Sequence, residues 1–407
     1  MGMPGNRIYD GVLADIGDIV HIKPPVLQMA GIVTRGKREI LLTELYHGIR
    51  RKTSGRNRRG ARRAGRKYGG RKTETKKGAG EHMIIVAKDG SGSFTSVQEA
   101  VDALPAEGGH ILVRAGEYRE KIVIQKDHVL LEGEDREHTV IAWNGCAKDR
   151  YADGTEKGTF LSSTLMTTGR DVTVENLTIR NDAGDGRTVG QAVAVYAAGD
   201  RGTWQNCTLD AHQDTLFCGP VRLPNVKEDI GFRTGSAEAV FRVEDGHLTR
   251  SRQYFENCLI RGDVDFIFGP YRCWFEKCTL FMNERGGWYT AANTGEQQPF
   301  GFVFHRCLLT GACERGAGFL GRPWRKYART VFLECEMDEH VAPEGFADWD
   351  GERVVTGRCG EWGTTGARTD QRTRHPAQRR LTDEEAAGIT IPRVLGGEDA
   401  WLPAGGA

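Results

Sequence analysis

The sequence predicts an all-β chain wound as a parallel β-helix, with a short capping helix at its start and a basic extension ahead of it. Three observations carry that reading. A six-residue pattern recurs at 174–179, 204–209, 255–260, 275–280, 304–309 and 332–337: a large apolar residue, two mostly polar ones, Cys or Leu, any residue, then an apolar one. Its spacing, roughly 20 to 50 residues, suits solenoid coils with variable loops. The strand-like pieces between are short, and no long amphipathic helix separates them. The chain also holds 54 Gly in 407 residues, as a fold made largely of turns requires.

One coil cannot bury its inward face alone, so successive coils stack like on like, Phe over Phe and Cys over Cys. Five of the ten Cys (Cys207, Cys258, Cys278, Cys307 and Cys335) fall at the same place in the repeat, and read as small core residues rather than bridges or ligands. No zinc-like Cys spacing and no His cluster accompanies them, so no metal is assigned.

Taken in order, residues 1–82 carry 19 Lys/Arg against 7 Asp/Glu, near +12, which leaves the remainder near −11 beneath a whole-chain charge of +1. Residues 50–80, with Arg58-Arg59, Arg62-Arg63 and Lys76-Lys77 among Gly, read as a disordered polybasic tail. Such a tail can bind nucleic acid by counterion release. A solvated tail, or a start site misplaced ahead of Met83, accounts for it as well, and nucleic acid is not an expected partner. No run reaches the 18 apolar residues of a membrane span, and no basic region followed by an apolar one marks a secretory signal. A cytoplasmic location with reduced thiols is therefore expected.

From Met83 the chain becomes orderly. Ile84-Ile85-Val86 reads as a strand. Ser96-Val97-Gln98-Glu99 has the form of a capping box opening a helix that buries Val97, Ala100, Val101 and Leu104 and stops at Pro105. Strand-like pieces follow at 110–113, 121–124, 129–131 and 140–142, and the repeat begins at Val174.

The chemistry gathers on three segments. Val264-Asp265-Phe266-Ile267-Phe268-Gly269 reads as a strand closed by Gly, with a carboxylate set into an apolar run. Such a carboxylate is costly unless paired. Gln213-Asp214-Thr215-Leu216-Phe217 repeats the arrangement one coil earlier. Leu320-Gly321-Arg322-Pro323-Trp324 adds a cation to hold one carboxylate ionised and an indole for a sugar ring. Neighbouring strands stand about 4.8 Å apart, so Asp214 and Asp265 can meet on one outer face. Two carboxylates in unlike surroundings suit acid/base or nucleophile/acid chemistry.

These segments, with Gly116-Glu117-Tyr118-Arg119-Glu120 and Gly190-Gln191-Ala192-Val193, occur in the order seen in pectin methylesterases, and the chain resembles that family over nearly everything after Met83. Gly287-Trp288-Tyr289-Thr290-Ala291-Ala292 and the long insertion at 218–250 look more like its bacterial members. The resemblance implies a right-handed parallel β-helix, no cofactor, and hydrolysis of the methyl esters of galacturonate in pectin or its oligomers. By it, Asp265 is the nucleophile, Asp214 the general acid and then base, and Gln213 and Gln191 donors to the oxyanion. Arg322 pairs with Asp265, and Trp324 packs on the sugar. Thr164 resembles a substrate-contact residue of the family. Phe268 is placed with the substrate-binding residues, in a role closer to packing support than to chemistry. The insertion is expected beside the cleft, favouring short substrates. A lyase or glycosidase on the same fold, or a non-catalytic carbohydrate-binding β-helix, are the rival readings.

Overall fold

A computed structural model of the chain describes residues 83–220, 251–349 and 358–403. The basic extension and residues 221–250 of the insertion lie outside the described residues.

The corner inside each repeat organises the rest. Its third residue (Asn176, Asn206, Asn257, Lys277, Arg306 or Glu334) adopts a left-handed backbone, with φ between +51° and +58°. One such residue turns the chain sharply, and Asn tolerates the conformation better than most. Gly202–Gln205 runs before the corner at Asn206 and Thr208–Asp210 after it, in different sheets; Leu216–Cys218, in a third sheet, completes the coil. Among the described residues these sheets hold eleven, nine and six strands, and successive coils pair in parallel register throughout. That is a parallel β-helix.

Register sets like on like. Trp204, Phe255, Phe275, Phe304 and Phe332 form one stack, with ring centroids 5.8, 4.7, 4.4 and 4.7 Å apart and planes within 9° to 14° of each other. Beside it the five repeat cysteines are buried, and each Sγ donates to the carbonyl of the repeat's first residue one coil earlier, at 3.4 to 3.6 Å. A small, weakly polar group thus fills each corner without leaving a buried donor unmet. All ten cysteines are unbridged.

The helix Val97–Ala103 closes the first coil with Val97, Ala100 and Val101 turned inward. Ser96 caps it as the sequence predicts, accepting from the Glu99 amide at 3.3 Å. Its remaining N-terminal donors go to Glu120, which takes the Ser96 hydroxyl and the amides of Val97 and Gln98 at 2.7 to 3.1 Å. The helices Asp383–Ala387 and Ile391–Leu395 pack outside the eleven-stranded sheet on Tyr254, Trp274, Val303 and Leu333.

The predicted strand over 264–269 is shorter than its composition implies: only Ile267–Gly269 is strand. Asp265 sits at φ +52°, so the alternation of faces breaks there. Phe266 and Ile267 both enter the core, and Phe268 points outward. The strand Gly116–Arg119 escapes the apolar pattern because only Tyr118 in it faces the core.

Candidate active site

The site lies on the outer face of the six-stranded sheet. Leu216 pairs with Ile267 and Phe217 with Phe268, so Asp214 and Asp265 hold the same place on adjacent coils, two residues before their strands. Both are left-handed, at φ +66° and +52°. Asp214 N donates to Val264 O at 3.0 Å, and Leu216 N to Phe266 O at 2.8 Å, so the interstrand bonding continues through both turns. The two carboxyls are thus delivered by one repeated geometry, at neighbouring rungs.

Their surroundings differ. Arg322 grips Asp265 with two bonds, Nε to Oδ1 at 2.9 Å and Nη2 to Oδ2 at 2.6 Å. Asp214 has no hydrogen-bonded cation among the described residues. Burial pushes both carboxyls up from their ordinary values, but at Asp265 the bonds from Arg322 oppose it. At Asp214 burial is reinforced by the charge of Asp265, with the charge of Arg322 opposing both, and its carboxyl is raised well above the ordinary value. Asp265 ionises first and Asp214 keeps its proton, the division a nucleophile and an acid require.

Gln191, Gln213 and Asp265 stand on three successive coils: Ala192 N donates to Gln213 O at 3.1 Å, and the Gln213–Asp214 turn lies against Val264. Neither glutamine amide makes a hydrogen bond to another side chain or backbone group among the described residues, which leaves both available to a substrate oxygen. Outside the pair, Tyr196, Phe217 and Phe268 form an apolar row, and Trp324 lies 6.1 Å from Phe268 by ring centroid, half-buried.

A family model described as Pectinesterase matches residues 83–244 and 245–398. The chain belongs to the pectinesterase family. It is 30% identical to pectinesterase 31 of Arabidopsis thaliana over 314 residues, 75% of this chain and 89% of that one. Among solved structures it resembles the pectin methylesterase from carrot (27% identity, 78% of this chain and 94% of that one, TM-score 0.65). It also resembles the one from Erwinia chrysanthemi (27% identity, 79% and 98%, TM-score 0.63). Equal identity to a plant and a bacterial enzyme leaves the bacterial affinity read from 287–292 without support. This pectinesterase is a carboxylic ester hydrolase acting on pectin, and the lyase, glycosidase and binding-only readings are not favoured.

The pectinesterase also uses residues that the sequence did not single out. The Arg322 guanidinium lies between two indoles, its Cζ 3.9 Å from the Trp288 ring centroid and 4.0 Å from that of Trp349. Trp288 occupies the register position of Asp265 on the next coil, since Ile267 pairs with Thr290. Arg322 therefore reaches Asp265 across the face of Trp288. Counting back two residues from each strand would have found Trp288; nothing in the sequence marks Trp349. Gly186 is a second omission: a Cβ there would stand 2.5 Å from Gln213 Oε1 and 2.8 Å from Gln213 Cβ, so its bareness admits Gln213.

Two expectations change in this pectinesterase. Thr164 is fully buried and its hydroxyl donates to Arg180 O at 2.9 Å, so it packs the core and does not face the substrate. A small polar residue in a Thr/Ser run offers no pattern that tells inward from outward. Phe268 is 4% exposed and wedged between Phe217 and Trp324, so it supports the wall rather than forming its surface.

Proposed function

We propose that this pectinesterase demethylates methyl-esterified galacturonate through an acyl-enzyme on Asp265. An Asp265 oxygen attacks the C6 carbonyl carbon, and the carbonyl π electrons move to oxygen, where the Gln191 and Gln213 amides donate to the resulting anion. Arg322 uses one lone pair on each carboxylate oxygen, which leaves others for attack. As the tetrahedral centre collapses, Asp214 gives its proton to the departing methoxide, and methanol leaves. Asp214, now a carboxylate, takes a proton from water as that water attacks C6. The second collapse frees Asp265 as a carboxylate with Asp214 again protonated, and releases galacturonic acid, whose carboxyl gives its proton to the solvent.

The observation that carries this reading is the matched placement of two carboxyls with Arg322 on one alone. The solved structure of a pectin methylesterase in complex with a hexasaccharide, 27% identical, supports an oligosaccharide as the ligand of this face. Incubating the enzyme with methylated pectin should release methanol with no change in chain length and no new unsaturation. Asp265→Ala should retain the fold and lose turnover; turnover preserved in that variant would remove the acyl-enzyme. A cytoplasmic location belongs to the same reading, supported by ten unbridged thiols; recovery of the native protein from the medium would overturn it.

A further inference from the structure

Two residues before each acid, on the same two coils, stands a second pair. His212 Nδ1 meets Asp263 Oδ2 at 3.1 Å, while Asp263 N donates to His212 O at 3.0 Å. The other Asp263 oxygen accepts from Val264 N at 2.7 Å. Asp263 has no exposed surface, whereas His212 is about one-third open. A buried carboxylate is retained only where its partners are good, and here they are the backbone of the Asp265 turn and the ring of the Asp214 turn. The mechanism above uses neither residue.

We propose that His212 and Asp263 are positioning residues for ester cleavage, clamping together the two left-handed turns from which Asp214 and Asp265 project. The proposal rests on the catalytic assignment of those two acids. Each acid sits on a single left-handed residue between two paired strands, and the His212–Asp263 contact adds a side-chain link to the backbone bonds that join the two turns. Asp263 also places a second negative charge within reach of Asp214, beside that of Asp265. His212 is drawn toward its protonated form chiefly by the bond its ring makes to the Asp263 carboxylate, against its burial. The acidic groups acting on it are Asp263, Asp185 and Asp210. Arg180, Arg261, Asp182 and Glu284 line a 340 Å³ cavity together with His212, and Arg285 Nη1 lies 4.0 Å from Asp263 Oδ1.

The test compares Asp263→Asn, His212→Gln and His212→Ala with wild type and with Asp265→Asn, using methanol release from methylated pectin and thermal melting. Asp263→Asn keeps the acceptor for Val264 N and the shape. It should lower kcat by about 10- to 100-fold through misplacement of the reacting groups, with KM within about twofold. Because it removes a negative charge near Asp214, the alkaline limb of its pH profile should move to lower pH. His212→Gln, which keeps a donor, should retain more turnover than His212→Ala. An unchanged kcat and pH limb in Asp263→Asn, or activity lost only in step with melting temperature and with the limb unmoved, would overturn the positioning role. Turnover surviving in Asp265→Asn would instead overturn the underlying catalytic assignment, whatever the other variants do.

Discussion

Arg322 holds Asp265 through two parallel bonds of 2.9 and 2.6 Å while its own guanidinium is pressed between Trp288 and Trp349. The cation cannot swing away without leaving both rings. The charge partner of the proposed nucleophile is thus set before substrate arrives, which is the preorganisation that electrostatic catalysis needs.

Replacing Arg322 by Gln should therefore do more than weaken binding. Removing one partner of a buried pair costs about 3–5 kcal/mol, and the Asp265 carboxyl, raised by burial, would lose the bonds that oppose it. Ionised nucleophile then forms only at higher pH, so the acid limb of kcat/KM should move upward. Arg322→Lys should rescue little, because an ammonium gives neither the paired bonds nor the stacking. A pH–rate profile of each variant decides it; an acid limb that stays put would show that Arg322 does not set the charge of Asp265.

Asp214 should destabilise the fold at neutral pH. Its folded carboxyl holds the proton well above the ordinary range because of burial and the charge of Asp265. A group with a raised folded pKa stabilises fully below its unfolded pKa, and that contribution is lost as pH rises through the folded pKa. Between those two values wild type should lose about 1.4 kcal/mol per pH unit relative to Asp214→Asn. Thermal melting across pH is the measurement: the inactive variant should match wild type below the carboxylate range and exceed it increasingly above.

Gly186→Ala tests the glutamine donor without touching a reacting group. The added Cβ meets Gln213 Cβ at 2.8 Å, a contact too near the backbone to relax by rotation. Displacing one oxyanion donor should lower kcat by about 10²- to 10³-fold at temperatures where the variant stays folded, while the crowding itself costs about 1–3 kcal/mol of stability. Wild-type kcat in this variant would mean that the Gln213 amide is not needed where it stands.

Thr164 offers the opposite contrast. Thr164→Val removes a buried hydroxyl bonded to Arg180 O and leaves that carbonyl without its donor. Stability should fall by about 1–3 kcal/mol, with KM unchanged. A raised KM at full stability would return Thr164 to the substrate.

The ring stack makes a prediction remote from chemistry. Phe275 lies between Phe255 and Phe304 at 4.7 and 4.4 Å. Phe275→Ala should cost about 3–5 kcal/mol, and Phe275→Leu markedly less. Both should keep the kcat of wild type at temperatures where they remain folded, as assayed by melting and methanol release.

The repeat was legible because its period is set by something local: every coil needs one corner, one ring and one small inward group, and each leaves a mark at a fixed place. Asp214, Asp265 and Arg322 were legible because charge within an apolar run is costly and so stands out. Trp349 and Gly186 were not, since their roles depend on what faces them across coils, and Trp288 shows only once Thr290 is set in register with Ile267. Thr164 was misplaced because one hydroxyl in a Thr/Ser run carries no sign of which way it points, and the strand over 264–269 because composition does not reveal a single left-handed residue.

Residue order alone determined that this chain stacks in parallel coils and carries two acids, an arginine and two amides suited to ester cleavage. Only the tertiary structure decided that both acids leave the coil at the same rung, that one of them alone receives the guanidinium, that two indoles flank that guanidinium, and that His212 meets the buried Asp263 beside them. Burial and distance across coils are properties of the packed solenoid, and they raise the carboxyl of Asp214 well beyond that of Asp265.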